Sequence, residues 1–137
     1  MSTNVSTNGK KKYDPLVEGR YKVELDNLNL RQSENVEGCL MVEPTFKVVE
    51  GANAGRLIFE RFIVSHPSSE KAVEIGKEKI DKFIKATGDS KGLGAIGEDG
   101  FGNLLMYKGK QVVATVKIED GNNGYSARNK ITNFLMA

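Results

Sequence analysis

Polar and apolar residues alternate over Gly19–Leu30, where Tyr21, Val23 and Leu25 interleave with Arg20, Lys22, Glu24 and Asp26. A period of two predicts a strand with one buried and one wet face. The pattern returns over Cys39–Gly51, with Phe46 and Val48 inward and Thr45 and Lys47 outward. Pro44 has no N–H to give a ladder, so it marks an edge position or a bulge in this second strand. The glycine-bracketed turn from Glu50 to Gly55 leads into a third run, Gly55–Val64. Here both parities are partly apolar. Either Leu57, Phe59, Arg61 and Ile63 or Ile58, Glu60, Phe62 and Val64 face the interior. Two further strand-like runs follow, Lys110–Asp120 and Tyr125–Phe134.

Between the third and fourth strands the period changes to that of a helix, expected over Ser68–Ala86. Pro67, Ser68, Ser69 and Glu70 suit a helix start, and Gly88 suits its stop. Ala72, Val73, Ile75, Gly76, Ile80, Phe83 and Ile84 form the apolar stripe, while Glu78–Lys82 and Asp81–Lys85 are favourable pairs on the wet side. Arg31 to Gly38 reads as a polar loop. Residues 88–109, with seven glycines, read as an exposed or partly ordered excursion. Five strands with one helix between the third and fourth is the element order of an OB-fold, a mainly β, five-stranded Greek-key barrel that often binds single-stranded nucleic acid or sugar. The expected organisation is a flexible tail over residues 1–12, with almost nothing to bury, and one OB-type domain over 13–137.

Composition narrows this reading only slightly. A net charge of +2 does not by itself announce a polyanion partner, but residues 108–137 carry five basic and two acidic side chains. Cys39 is the single cysteine, which excludes an intramolecular disulfide and suggests a reducing compartment. No run approaches the ~20 apolar residues of a membrane span, and MSTNVSTNGKKK has no apolar core for a signal peptide. A soluble intracellular protein without a membrane partner is expected.

Signs of catalysis are scarce. His66 and Cys39 share no metal-ligand spacing, and His66, beside a proline at a helix entrance, reads as a surface or capping residue. The glycines after residue 88 lack the Lys-Ser/Thr end of a phosphate loop, and the carboxylates are scattered. No enzyme, catalytic residue, metal or cofactor is expected. Binding is better supported. A single strand needs a basic groove for its phosphates and flat side chains for its bases. Arg20 and Lys22 on the first strand, Lys47 on the second, Arg56, Phe59 and Arg61 at the third, and Tyr125, Arg128 and Lys130 in the last hairpin offer these chemistries. Each has a plainer alternative. Phe59 suits a barrel core as well as a binding face, and Arg61 could pair with Glu60 or Glu43. Phe62, Phe46 and Tyr21 read as core. Tyr125 follows Gly121-Asn122-Asn123-Gly124 on a flexible hairpin, where a large ring has no structural reason to be. Phe59, Arg61, Tyr125 and Arg128 are expected to share one surface.

YDPLVEGRYKVEL, FKVVEGANAGRLIFERF, SEKAVEIGKEKI and the closing SARNKITNF resemble a phage-encoded group long catalogued as a domain of unknown function and now regarded as OB-fold single-stranded DNA-binding proteins. The likeness runs over residues 13–134. It implies a protein that coats single strands in phage replication or recombination, without a cofactor, in the cytoplasm of the infected bacterial host. Gly51, Gly55, Arg56, Phe59 and Arg61 fall in its best-matching block, and Arg128 and Asn129 in its closing one. Many single-strand binders end in an acidic tail that recruits partners. This chain has no acid after Asp120, which puts tail-mediated recruitment of replication or recombination proteins in doubt. A homo-oligomer is expected, with Phe134–Ala137 and the second-strand edge near Pro44 as contacts. The rival expectation is a protein-interaction module of a phage recombination complex; a metal-dependent nuclease is poorly supported.

Overall fold

The computed structural model describes residues 15–97, 100–119 and 127–137. The expected tail and Tyr125 lie outside these. Strands β1 (Gly19–Gln32), β2 (Leu40–Val48), β3 (Leu57–Phe59) and β4 (Phe62–Ser65) precede helix α1 (Glu70–Ala86), and β5 (Gln111–Glu119) and β6 (Arg128–Met136) come after it. All pair antiparallel in one six-stranded sheet of order β3-β2-β1-β5-β6, with β4 also on β2, beside β3. The fold is therefore mainly β with one main helix. Among the described residues no backbone ladder joins the outer strands β3/β4 and β6, so the sheet is open.

The expected third strand is two short ones, and Pro44 explains the break. β3 pairs Leu57–Phe59 with Lys47–Thr45, and β4 pairs Phe62 and Ile63 with Val42 and Met41. Between them Glu60 N–H donates to Pro44 O at 3.1 Å. An antiparallel pair would return a bond from residue 44, and proline has no N–H to return. Pro44 thus marks an irregularity, as one of its two readings had it, but in a central strand; β2 has neighbours on both sides, so no free edge exists at Pro44 for self-association.

The interior is filled from all sides of this curved sheet. Val23 and Leu25 of β1, Val42, Phe46 and Val48 of β2, Val112, Ala114 and Val116 of β5, and Ile131 and Phe134 of β6 are buried with Ile80, Phe83 and Ile84 of α1. Phe134 belongs to this core, so it is not available for the self-association expected of the chain's end; Met136 is exposed. The side chain of Ser69 caps α1 by accepting Ala72 N–H at 3.2 Å, and His66 Nδ1 accepts the N–H groups of Ser68 and Ser69. At Gly76 the helix backbone lies so close to β4 that a Cβ would stand 2.1 Å from Ile63 O. Ile75, expected in the apolar stripe, is instead exposed beside this contact.

Residues 88–109 correct the expectation of an exposed excursion. They include two 3-10 helices, Gly92–Ala95 and Phe101–Tyr107, and bury Ile96, Phe101, Leu104 and Tyr107 against the core. The glycines allow the chain to turn repeatedly while four large side chains point the same way. Tyr107 OH donates to Asp89 Oδ2 at 2.8 Å, and burial, with this carboxylate as neighbour, pushes the phenol up to about 12.

Candidate functional site

Along β3 and β4 the inward set is Ile58, Glu60, Phe62 and Val64; Phe59 and Arg61 face out. Phe59, the last residue of β3, is 62% exposed. The register sets it opposite Thr45, whose other neighbour is Asn27, and Arg61 Nε reaches Glu43 Oε2 at 2.8 Å. Phe59, Thr45, Arg61 and Glu43 line an open cleft of about 590 Å³ together with Asn29, Arg31, Pro44, Glu60 and Arg128. Two arginines thus flank an exposed ring on the β2–β3 face, and Arg128 enters from the first position of β6.

Glu43 organises this surface. Its carboxylate accepts from Arg61 and from Asn29 Nδ2 at 3.0 Å, and Arg31 lies 3.9 Å away. Arg128 is held in the same manner by Glu119, at 2.9 Å, and Lys130 stands 3.8 Å from the other oxygen of that carboxylate. The hydrogen bond from Arg128 holds the Glu119 carboxyl below its ordinary value. Ion pairs open to solvent contribute little net stability, so a competing anion can displace them at small cost.

The cleft ends at the gap between the outer strands, where side chains replace a ladder. Glu60 Oε2 accepts Ile131 N–H at 2.7 Å, and Lys79 Nζ of α1 donates to Ile131 O at 3.3 Å. Burial raises the Glu60 carboxyl above its ordinary value of 4.5, against the lowering effect of the Ile131 N–H and of Lys79, Arg128 and Lys130. Burial likewise lowers the Lys79 ammonium. A carboxyl raised in the fold contributes stability that is complete below its unfolded value and is lost as pH rises through the folded one. The melting temperature of the wild type minus that of Glu60→Gln should therefore fall as pH rises from about 4.5 toward neutrality. Asp81 and Glu119, both lowered, act with the opposite sign but equally in both proteins. A difference that is flat with pH would refute this.

Of the nine residues expected at a binding surface, the structure brings Phe59, Arg61 and Arg128 together. Tyr125 lies outside the described residues. Arg20 and Lys22 stand on the half of β1 that pairs with β5, Lys22 lying 3.5 Å from Glu50. Lys47 shares the outer face of β2 with Thr45 but lies beyond the cleft, near Glu24 and Asp26. Arg56 precedes β3 and its carbonyl accepts Val48 N–H. Lys130 is half-buried beside Glu119. Sequence reasoning missed Arg31 because β1 runs on into the residues read as loop, and Asn29, within the expected first strand, because it carries neither charge nor ring. The spacing of Leu28 and Leu30 was the available sign. Glu43 entered only as a possible partner of Arg61, which it is.

Among the described residues no group of three or more His, Cys, Asp or Glu side chains could hold a metal ion, and no helix is long and apolar enough to cross a membrane. No curated protein matches the chain. The family model described as "Protein of unknown function (DUF669)" matches residues 3–134, and the chain belongs to that family.

Proposed function

We propose that this is an OB-fold single-stranded DNA-binding protein with little sequence preference, encoded by a phage and coating single strands during replication or recombination in the bacterial host. For the fold, the support is the strand order. With β3 and β4 counted as one bent strand, the order is third-second-first-fourth-fifth, the helix lies between the third and fourth, and Glu60 and Lys79 span the seam where such a barrel would close. An OB barrel is itself partly open, and its ligand face is that of the second and third strands.

The observation that carries the function is Phe59. A phenylalanine in a strand is ordinarily packed inward; this ring stands in water within a cleft that holds three arginines. Stacked bases would cover it while the guanidinium groups take phosphates, with no need to read base edges. The decisive experiment is a titration of oligo-dT and of duplex of equal length across a salt series. Arg61→Ala and Arg128→Ala should each reduce the slope of log K against log salt by up to about one phosphate contact. Duplex binding as tightly as oligo-dT would refute the reading.

One observation favours the second reading, a protein-interaction module. The cleft's arginines are already paired with Glu43 and Glu119, which makes a mixed-charge surface suited to a protein partner such as a recombination protein. In that case oligo-dT does not bind at low salt. The single-strand reading includes a homo-oligomer along the strand, with Leu135 and Met136 at the end of β6 as the remaining apolar contact. Light scattering with and without oligo-dT tests this.

A further inference from the structure

One polar side chain of the cleft is shut away from water. Glu60 is 6% exposed, yet it lies in the cleft wall between Pro44 and Arg61, with Arg128 across the gap. Among the described residues, the hydrogen bond from Ile131 N–H to one carboxylate oxygen is the only one that the side chain receives. Its charge is otherwise offset through space, by Lys79 of α1 and by Arg128 and Lys130 of β6. Glu119 of β5 draws on the last two, and it acts on Lys79 as well.

We infer that Glu60 takes up one proton when a polyanionic strand occupies the cleft, so that binding of single-stranded nucleic acid tightens as pH falls. The inference rests on the single-strand reading of this cleft. A phosphate held by Arg61 and Arg128 changes the surroundings of Glu60 twice over. It engages Arg128, a cation that favours the ionised carboxylate, and it places a new negative charge nearby. Burial already disfavours that ionised form. Both changes act in the same direction, toward the neutral acid. The chemistry is one proton added to the carboxylate from solvent on binding and returned on release; no other bond changes. Linkage then requires the protonated protein to bind more tightly, by the same factor by which the ligand promotes protonation.

Oligo-dT is a suitable probe because neither thymine nor its phosphodiester titrates from mildly acid to mildly alkaline pH. At fixed ionic strength, its affinity for the wild type should fall as pH rises, by at most about tenfold per pH unit, the limit for one coupled proton. Calorimetry at one pH within that range should give different heats in phosphate and in Tris, which have different ionisation enthalpies, with the sign of proton uptake. Glu60→Gln should bind with a flat pH profile and equal heats in both buffers. Lys79→Met, which removes a cation from beside Glu60, should move the pH-dependent window to higher pH. Proton uptake by any other group would persist in Glu60→Gln and so would overturn the assignment. Equal heats and a flat profile in the wild type overturn the inference while leaving oligo-dT binding in place. Absence of oligo-dT binding at every pH overturns the single-strand reading itself, and this inference with it. If Glu60→Gln does not fold, the wild-type heats and the Lys79→Met shift decide.

Discussion

Phe59→Ala should weaken oligo-dT binding by about 1–3 kcal/mol, roughly 5- to 150-fold, while leaving the salt slope as it is. The loss is that of one stacking platform, which carries no charge and so releases no counterions. The fold should be indifferent, because the ring is 62% exposed and its removal opens no cavity; exposed substitutions of this kind usually stay within about 0.5 kcal/mol. Fluorescence anisotropy with labelled oligo-dT and a thermal melt measure the two halves of this prediction. Unchanged affinity would remove Phe59 from the binding surface. A collapse of the melting temperature would mean that the ring packs in solution.

Phe46→Ala should have the opposite character, a loss of about 3–5 kcal/mol of stability. Phe46 neighbours Thr45, the residue paired with Phe59, but it points into the core and is fully buried. Its ring centroid lies 5.4 Å from both Phe83 and Phe134, edge-on to the first and tilted to the second. It therefore joins β2 to α1 and to β6 across the interior. Truncation removes the transfer energy of the ring and leaves a cavity that three separate elements would have to collapse to fill. Against a total stability of about 5–15 kcal/mol, that is a large fraction. Urea denaturation should show a lower midpoint at an unchanged slope. A loss under about 1 kcal/mol would show that the cluster repacks and that the interior is less rigid than its geometry implies.

Much of the architecture was legible in the chain because it follows from local periodicity. The alternation of Tyr21, Val23 and Leu25 with charged residues is a strand under any tertiary arrangement, and Val23 and Leu25 are buried as that alternation requires. The same holds for Phe46 and Val48, and for the helix between Ser69 and Gly88 with strands before and after it. The chemistry of the candidate site was legible as residue types: an aromatic with arginines before and after it on the strand, and more basic residues near the last hairpin.

What the chain alone left open was parity, breaks and closure. Gly55–Val64 is apolar on both faces, so periodicity has no preferred phase there. Which face turned inward was decided by pairing with β2, where Ile58 meets Phe46 and Phe59 meets Thr45. A slip of one residue would exchange every side chain on that strand. The division into β3 and β4 arose from a neighbour, since the missing N–H belongs to Pro44 and the gap falls opposite it. Residues 88–109 have no period at all, and only the space beneath the sheet made Ile96, Phe101, Leu104 and Tyr107 core. Glu60 is the clearest case. In sequence it is one acid among many, and its hydrogen bond from Ile131, seventy-one residues away, exists only because the fold brings β6 within reach of its side chain. Local order follows from the spacing of apolar residues along one strand or helix. The phase of a two-faced strand, a missing donor's effect and a buried charge each depend on a partner distant in sequence, and so only the tertiary structure decided them.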